Sequence, residues 1–245
     1  MVREYLLCLE MVLPAKIFEI KGDADLGRMA QSLRDFREVE RYKADEGDTV
    51  NLVTEILDLK QGEDLVAGVF SRDFMRGHHY RRSFIETPTT EEAPFWIKPF
   101  RGRTFLIVMA PSVARGVKKL LTNHVANKLS EVVFNVTGAI VEVRIPHETL
   151  RELHESNPQA TKLIWFDDVD IPSVDKLCLA GSGLADTKLY HDYLEHGMIW
   201  YVVFKAQKRQ VTLGITRNCV VTLFSKSTTD EFMNYILEDL LTLIE

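Results

Sequence analysis

Two periods organise the apolar positions of this chain. Period-two runs, or short continuous apolar runs, predict strands at 15–20 (AKIFEI), 51–59 (NLVTEILDL), 65–70 (LVAGVF), 94–100 (PFWIKPF) and 103–110 (RTFLIVMA). In the second half they recur at 139–145, 161–169 and 175–181, and in a meander at 199–206, 210–216 and 219–224. Helical spacing appears at 23–43, where Leu26, Met29, Leu33, Phe36 and Val39 share a face behind an Asp23 or Asp25 cap. It returns from Ser112 to about Ser130, at 147–156, at 185–196, and in a closing helix over 228–245 with Phe232, Ile236, Leu240 and Leu243 as its stripe. The proline-bracketed ETPTTEEAP, 86–94, reads as an exposed loop, and NVTGA, 135–139, as a turn.

Each half thus offers a strand, a helix, several antiparallel strands and a long helix. That order predicts an α+β protein of two similar halves, 1–135 and 136–245. Each would be a mainly antiparallel sheet with helices on one face, the order suggesting a tandem duplication.

Composition narrows the class without naming it. The chain has 245 residues, 46% hydrophobic and 27% charged, enough for a core without staples. No run approaches eighteen apolar residues, which removes a membrane-spanning helix from the expectation. The opening MVREYLLCLEMVLPAKIFEI, interrupted by Glu4 and Glu10, reads as a strand pair and not a signal peptide. Cys8, Cys178 and Cys219 form no CxxC pair, and the last two sit in apolar runs. They read as buried strand residues of a reducing compartment, so the expected location is cytoplasmic.

Charge changes the picture more. The formal net charge is −6, yet residues 72–128 hold eleven Lys/Arg against four Asp/Glu, leaving −13 on the remainder. The richest stretch is RDFMRGHHYRRSF, 72–84. Arg72, Arg76, Arg81 and Arg82 are planar forks suited to phosphate or carboxylate. Phe74, Tyr80 and Phe84 interleave as stacking surfaces, the combination that single-stranded nucleic acid sites use. Lys98, Arg101 and Arg103 follow around Trp96, and Arg115, Lys118 and Lys119 recur at helical i, i+3, i+4 spacing. If the three clusters share a face, they form one cationic surface.

Catalytic signatures are missing. GSG at 181–183 lies between a strand and a helix, but Asp186 stands where a pyrophosphate fingerprint needs a glycine. His147 and His154 are seven apart, two turns, too far for one metal ion, and their helix reads as a solvated face of charge pairs. His196 reads as a helix C-terminal residue. Asp167, Asp168, Asp170 and Asp175 resemble a divalent-cation cluster in type, without the accompanying lysine spacing of nucleases. No GxSxG elbow or GxxxxGK[ST] loop occurs.

The expectation is therefore a non-catalytic nucleic-acid-binding protein without cofactor or metal. Its site would be Arg72, Arg76, Tyr80, Arg81, Arg82, Lys98, Arg101, Arg103, Arg115, Lys118 and Lys119. One alternative is an acidic protein partner or self-association, with the acids Asp230, Glu231, Glu238 and Asp239 of another copy meeting the tract. A second alternative is a metal-dependent phosphodiesterase.

Overall fold

A computed structural model describes residues 13–22, 25–43, 49–110, 118–206, 209–225 and 227–244; for 118–120 it describes the backbone alone. Its twelve strands are β1 (Leu13–Ile20), β2 (Arg37–Lys43), β3 (Thr49–Gln61), β4 (Val66–Tyr80), β5 (Ser83–Phe100), β6 (Arg103–Met109), β7 (Ile140–Glu142), β8 (Thr161–Asp167), β9 (Leu177–Ala180), β10 (Met198–Ala206), β11 (Val211–Thr216) and β12 (Val220–Leu223). The helices are α1 (Leu26–Arg34), α2 (Lys118–Phe134), α3 (His147–Glu155), α4 (Lys188–His196) and α5 (Thr229–Tyr235).

The expected pair of separate sheets is overturned. Strands follow one order, β2-β3-β4-β5-β6-β1-β12-β11-β10-β8-β9, with β7 on β1, in a large antiparallel sheet at 48% strand and 28% helix. Two local facts explain the difference. REVERYK, read from periodicity as the tail of a helix, is β2: α1 stops at Arg34, Asp35 turns, and Arg37–Lys43 pairs with Glu55–Thr49. Secondly, LPAKIFEI is buried along nearly its whole length, as befits a strand with a neighbour on each side. Its first residues pair with β12, Leu13 opposite Leu223 through Lys16 opposite Val220. The hydrogen-bond ladder therefore has no break where two separate sheets would need one.

Contact density divides the chain into two units, residues 17–141 and residues 13–16 with 142–244. In the first, Asp25 caps α1 by accepting a hydrogen bond from Arg28 N–H (2.7 Å). The core gathers Met29, Ala30 and Leu33 of α1, Leu121, Val125 and Leu129 of α2, and Phe70, Phe95, Ile97 and Leu106 of the strands. Lys128, near the end of α2, pairs with Glu38 (2.7 Å). The second unit has the meander β10-β11-β12 with β8 and β9, and a Thr228–Glu231 capping box opens α5. The expected closing helix passes from α5 into a wider turn at Ile236–Leu240 and a tight one at Leu241–Leu243.

The largest local departure is at 86–94. There the expected loop is strand: β4 and β5 pair without interruption from Val66–Ile97 to Tyr80–Ser83. Pro88 and Pro94 had suggested the loop. Both lie where β5 bonds only to β4, because β6 joins β5 from Phe95 onward. A missing N–H there breaks no ladder.

Candidate nucleic-acid interface

The arginine-rich stretch forms the distal part of the β4–β5 hairpin. β3 accompanies β4 as far as Thr54 opposite Arg72 and then leaves the ladder. Asp73, the lone acid of RDFMRGHHYRRSF, makes that departure tolerable. Its carboxylate accepts the Val53 backbone N–H (3.0 Å), which has lost its strand partner, and the Thr90 hydroxyl (2.6 Å). Beyond this fork β4 and β5 pair only with each other, a ribbon of about 25 Å at the usual strand rise.

Register sorts the ribbon into two faces, since residues directly opposite share a side and alternate residues swap. One face carries Arg72, Phe74, Arg76, His78 and Tyr80 of β4, with Thr89, Thr87 and Ile85 opposite Phe74, Arg76 and His78. This face continues the core face: Val66 and Phe70 at its root are buried, and Phe70 meets the His124 ring of α2 edge-on at 5.8 Å. Burial and the nearby Arg72 and Lys128 cations hold His124 below its ordinary pKa, so that contact is made by a neutral ring.

The other face closes on itself. Phe84 stands opposite His79, ring edge to ring at 5.4 Å, and reaches diagonally across Gly77. A Cβ on Gly77 would lie 2.2 Å from the Phe84 ring, so only glycine leaves room. Glu86 accepts a hydrogen bond from the Tyr42 hydroxyl of β2 (2.9 Å).

The tip is a two-residue turn with both central residues at positive φ, Arg81 at 47° and Arg82 at 72°. Such turns favour Asn-Gly or Gly-Gly. The β5–β6 turn, Arg101 (50°) and Gly102 (76°), keeps the glycine; the ribbon tip has arginine at both places. Among the described residues, no carboxylate pairs with Arg72, Arg76, Arg81 or Arg82. The Arg81 guanidinium lies over the Tyr80 ring, 5.6 Å from its centroid. Tyr80 and Phe84 are 56% and 59% exposed, far more than large apolar groups without a partner usually are.

The second cluster stands elsewhere. Lys98, Arg101 and Arg103 are at the other end of β5, roughly 50–60 Å from the tip along an 18-residue strand. Lys98 is paired with Asp64. Arg103 grips Glu19 with two hydrogen bonds, 3.0 and 2.8 Å. The Arg103 bonds, aided by Lys21, hold the Glu19 carboxyl down to a pKa of about 2 against its burial. Arg101 carries its charge over the Phe100 ring. Of the third cluster, Arg115 lies outside the described residues. Lys118 and Lys119 open α2, and the description there covers only their backbone. The ribbon therefore unites Arg72, Arg76, Tyr80, Arg81 and Arg82, and Lys98, Arg101 and Arg103 do not join them. Exposed His78 and Thr87 and half-buried Phe74 and Thr89 share that face; none was in the predicted site, although Phe74 was read as a stacking surface and the alternation R-x-F-x-R-x-H-x-Y over 72–80 is itself a strand signature.

Most of the acidic candidates have structural partners. Arg217 bonds Asp167 and Asp168, and Asp170 meets His196 at 2.8 Å. Arg209 engages Glu238 and Asp239, and Glu231 is spent in the α5 capping box. Three of the four acids offered for pairing with another copy thus already have partners. Among the described residues, no three His, Cys, Asp or Glu converge as a metal-ion site, and no helix is long and apolar enough to cross a membrane. His154, read as solvated, is fully buried, its ring edge-on to Tyr190 at 4.9 Å with no hydrogen-bond partner on either nitrogen. Cys219 is buried as expected, whereas Cys178 on β9 is exposed.

No protein-family model and no curated protein matches the chain.

Proposed function

We propose that the protein binds nucleic acid through the distal β4–β5 ribbon. The observation that carries this reading is the tip: two arginines at positive φ, without carboxylate partners, where glycine or asparagine would be the more stable choice. Backbone held in a disfavoured region points to a role for the side chains it presents. Guanidinium groups free of internal partners suit phosphate oxygens, and exposed rings between them suit bases.

Fluorescence anisotropy with labelled oligonucleotides across a salt series tests the reading. Wild-type protein should bind with affinity that falls as salt rises, because each phosphate contact releases counterions. An Arg81→Asn/Arg82→Gly variant keeps the turn and removes both charges. It should bind about ten- to a hundredfold more weakly, the loss of one or two charge-assisted contacts. Unchanged affinity in that variant removes the ribbon from the reading. A salt-insensitive dimer by light scattering, with no oligonucleotide bound, would favour self-association instead.

A further inference from the structure

We infer that the ribbon face is a comb that takes single-stranded nucleic acid by seating bases between its side chains. This rests on the nucleic-acid reading above and gives it a form and a site size. Arg72, Phe74, Arg76, His78 and Tyr80 follow one another on one face of β4. Every one ends in a flat group: guanidinium, phenyl, guanidinium, imidazole, phenol. On a strand, side chains at i and i+2 stand about 6.8 Å apart. Stacked bases are about 3.4 Å apart, so a base midway between two such groups lies at stacking distance from both. Five flat groups define four slots, each as thick as one base.

Three further features fit that use. No hydrogen bond, ion pair or ring contact joins these five groups to one another; Arg76, His78 and Tyr80 are exposed, and Arg72, opposite Glu91, and Phe74, opposite Thr89, are half-buried at the root. On the opposite face Phe84 lies across Gly77 and edge-on to His79, so its ring is engaged within the ribbon. Thr87 and Thr89, directly opposite Arg76 and Phe74, put hydroxyls beside the slots where they can donate to or accept from a base edge or sugar. Arg81 and Arg82 at the tip and Arg76 within the comb then meet the phosphates. A duplex does not fit, because its bases are stacked on their own neighbours and offer no free faces. Single strands bind without strong sequence preference on such a surface, since every base has a flat face.

The experiment uses the full chain with oligothymidylates of two to ten nucleotides, a duplex of matching length, and a single strand carrying 2-aminopurine. Affinity should climb steeply up to about four nucleotides and only gently beyond. The single strand should bind at least tenfold more tightly than the duplex. 2-Aminopurine emission should change on binding as the base enters a slot. Phe74→Leu and Tyr80→Leu should each weaken single-strand binding about five- to a hundredfold with the salt slope unchanged, and Tyr80→Phe, which keeps the ring, should restore it. Duplex bound as tightly as single strand, with both leucine variants at wild-type affinity, overturns the comb and leaves the broader reading standing. Binding to none of these probes overturns both.

Discussion

Arg81 and Arg82 each sit in a region of backbone space that costs an L-residue with a Cβ about 1–2 kcal/mol. Asn-Gly at the same places relieves most of that. The Arg81→Asn/Arg82→Gly variant should therefore hold the ribbon tip more firmly by about 1–2 kcal/mol, seen as slower amide hydrogen exchange around Tyr80 and Ser83. Gain of order together with loss of binding is the outcome that ties the strain to function; loss of both would make the arginines structural. His154 is a residue-level case of the opposite kind. Burial holds its imidazole below the usual pKa of 6.5, against the upward pull of the neighbouring Glu155 and Asp186 carboxylates. Glu155 is itself held by Arg151 (2.8 Å) and by the Tyr190 hydroxyl (3.1 Å). A folded-state pKa depressed below the unfolded one means the unfolded chain takes up the proton first. Stability is thus full above pH 6.5 and declines as pH falls through that value toward the folded-state pKa. Urea unfolding at pH 7.5 and pH 5.5 should show that decline, and His154→Phe, which needs no hydrogen bond, should reduce it, His124 contributing the same sign. The buried histidine was not legible in the sequence because α3 carries charge at four of its other eight positions, Glu148, Arg151, Glu152 and Glu155, and a nine-residue helix gives periodicity little room to mark His154 as inward with Leu150.

The β4–β5 ribbon lives or fails by its root. Asp73 replaces a lost strand neighbour, so Asp73→Ala leaves the Val53 N–H without an acceptor, at about 1–3 kcal/mol if it stays buried. Hydrogen exchange should report this in two parts. In the wild type, amides of 74–90 should exchange well before those of 66–71, which have β3 on one side and β5 on the other. In Asp73→Ala the fast zone should spread down to Arg72 and across to Val53. An unchanged exchange pattern would mean the fork contributes nothing to holding the ribbon. Most other elements were legible: β3, β6, β8 and the β10-β11-β12 meander fall where the alternation put them, and of the helix expected over 23–43 only Leu26–Arg34, capped by Asp25, is helical. The distal ribbon was not, and the reason is physical. No residue of its strands is fully buried, so they show no apolar alternation. Their alternation is of arginine with aromatic residues on β4 and of threonine with proline or acid on β5, and Pro88 and Pro94 read as breakers unless the edge position is known.

Across the entire chain, the continuous strand order and the charge pattern were legible to different degrees. A strand that joins two meanders leaves its mark only in β1, as burial without alternation, and eight residues of LPAKIFEI do not say which strands lie on either side. Charge segregation was visible at once, but its meaning depended on pairing. Of the cations counted in the basic region, Lys98, Arg103 and Lys128 are matched by Asp64, Glu19 and Glu38, while Arg72, Arg76, Arg81 and Arg82 stand on the ribbon without a carboxylate partner among the described residues. Residues 74–85 contain three arginines and no acid, so +3 stands at the tip and −9 on everything else. On the proposed nucleic-acid reading, that net balance favours contact at the ribbon and keeps the number of neutralised phosphates small. Four unpaired arginines, Arg72, Arg76, Arg81 and Arg82, with about 0.7 units of slope per phosphate on single strands, give a salt slope near −3 on a log–log plot. Arg76→Ala should lower its magnitude by about 0.7, and the Arg81→Asn/Arg82→Gly variant by about 1.4. Lys98→Met should leave it where it was, since that ammonium already faces Asp64. A slope of −6 or steeper would require cations beyond these four, and a Lys98→Met variant that flattens it would move the contact surface to the other end of β5.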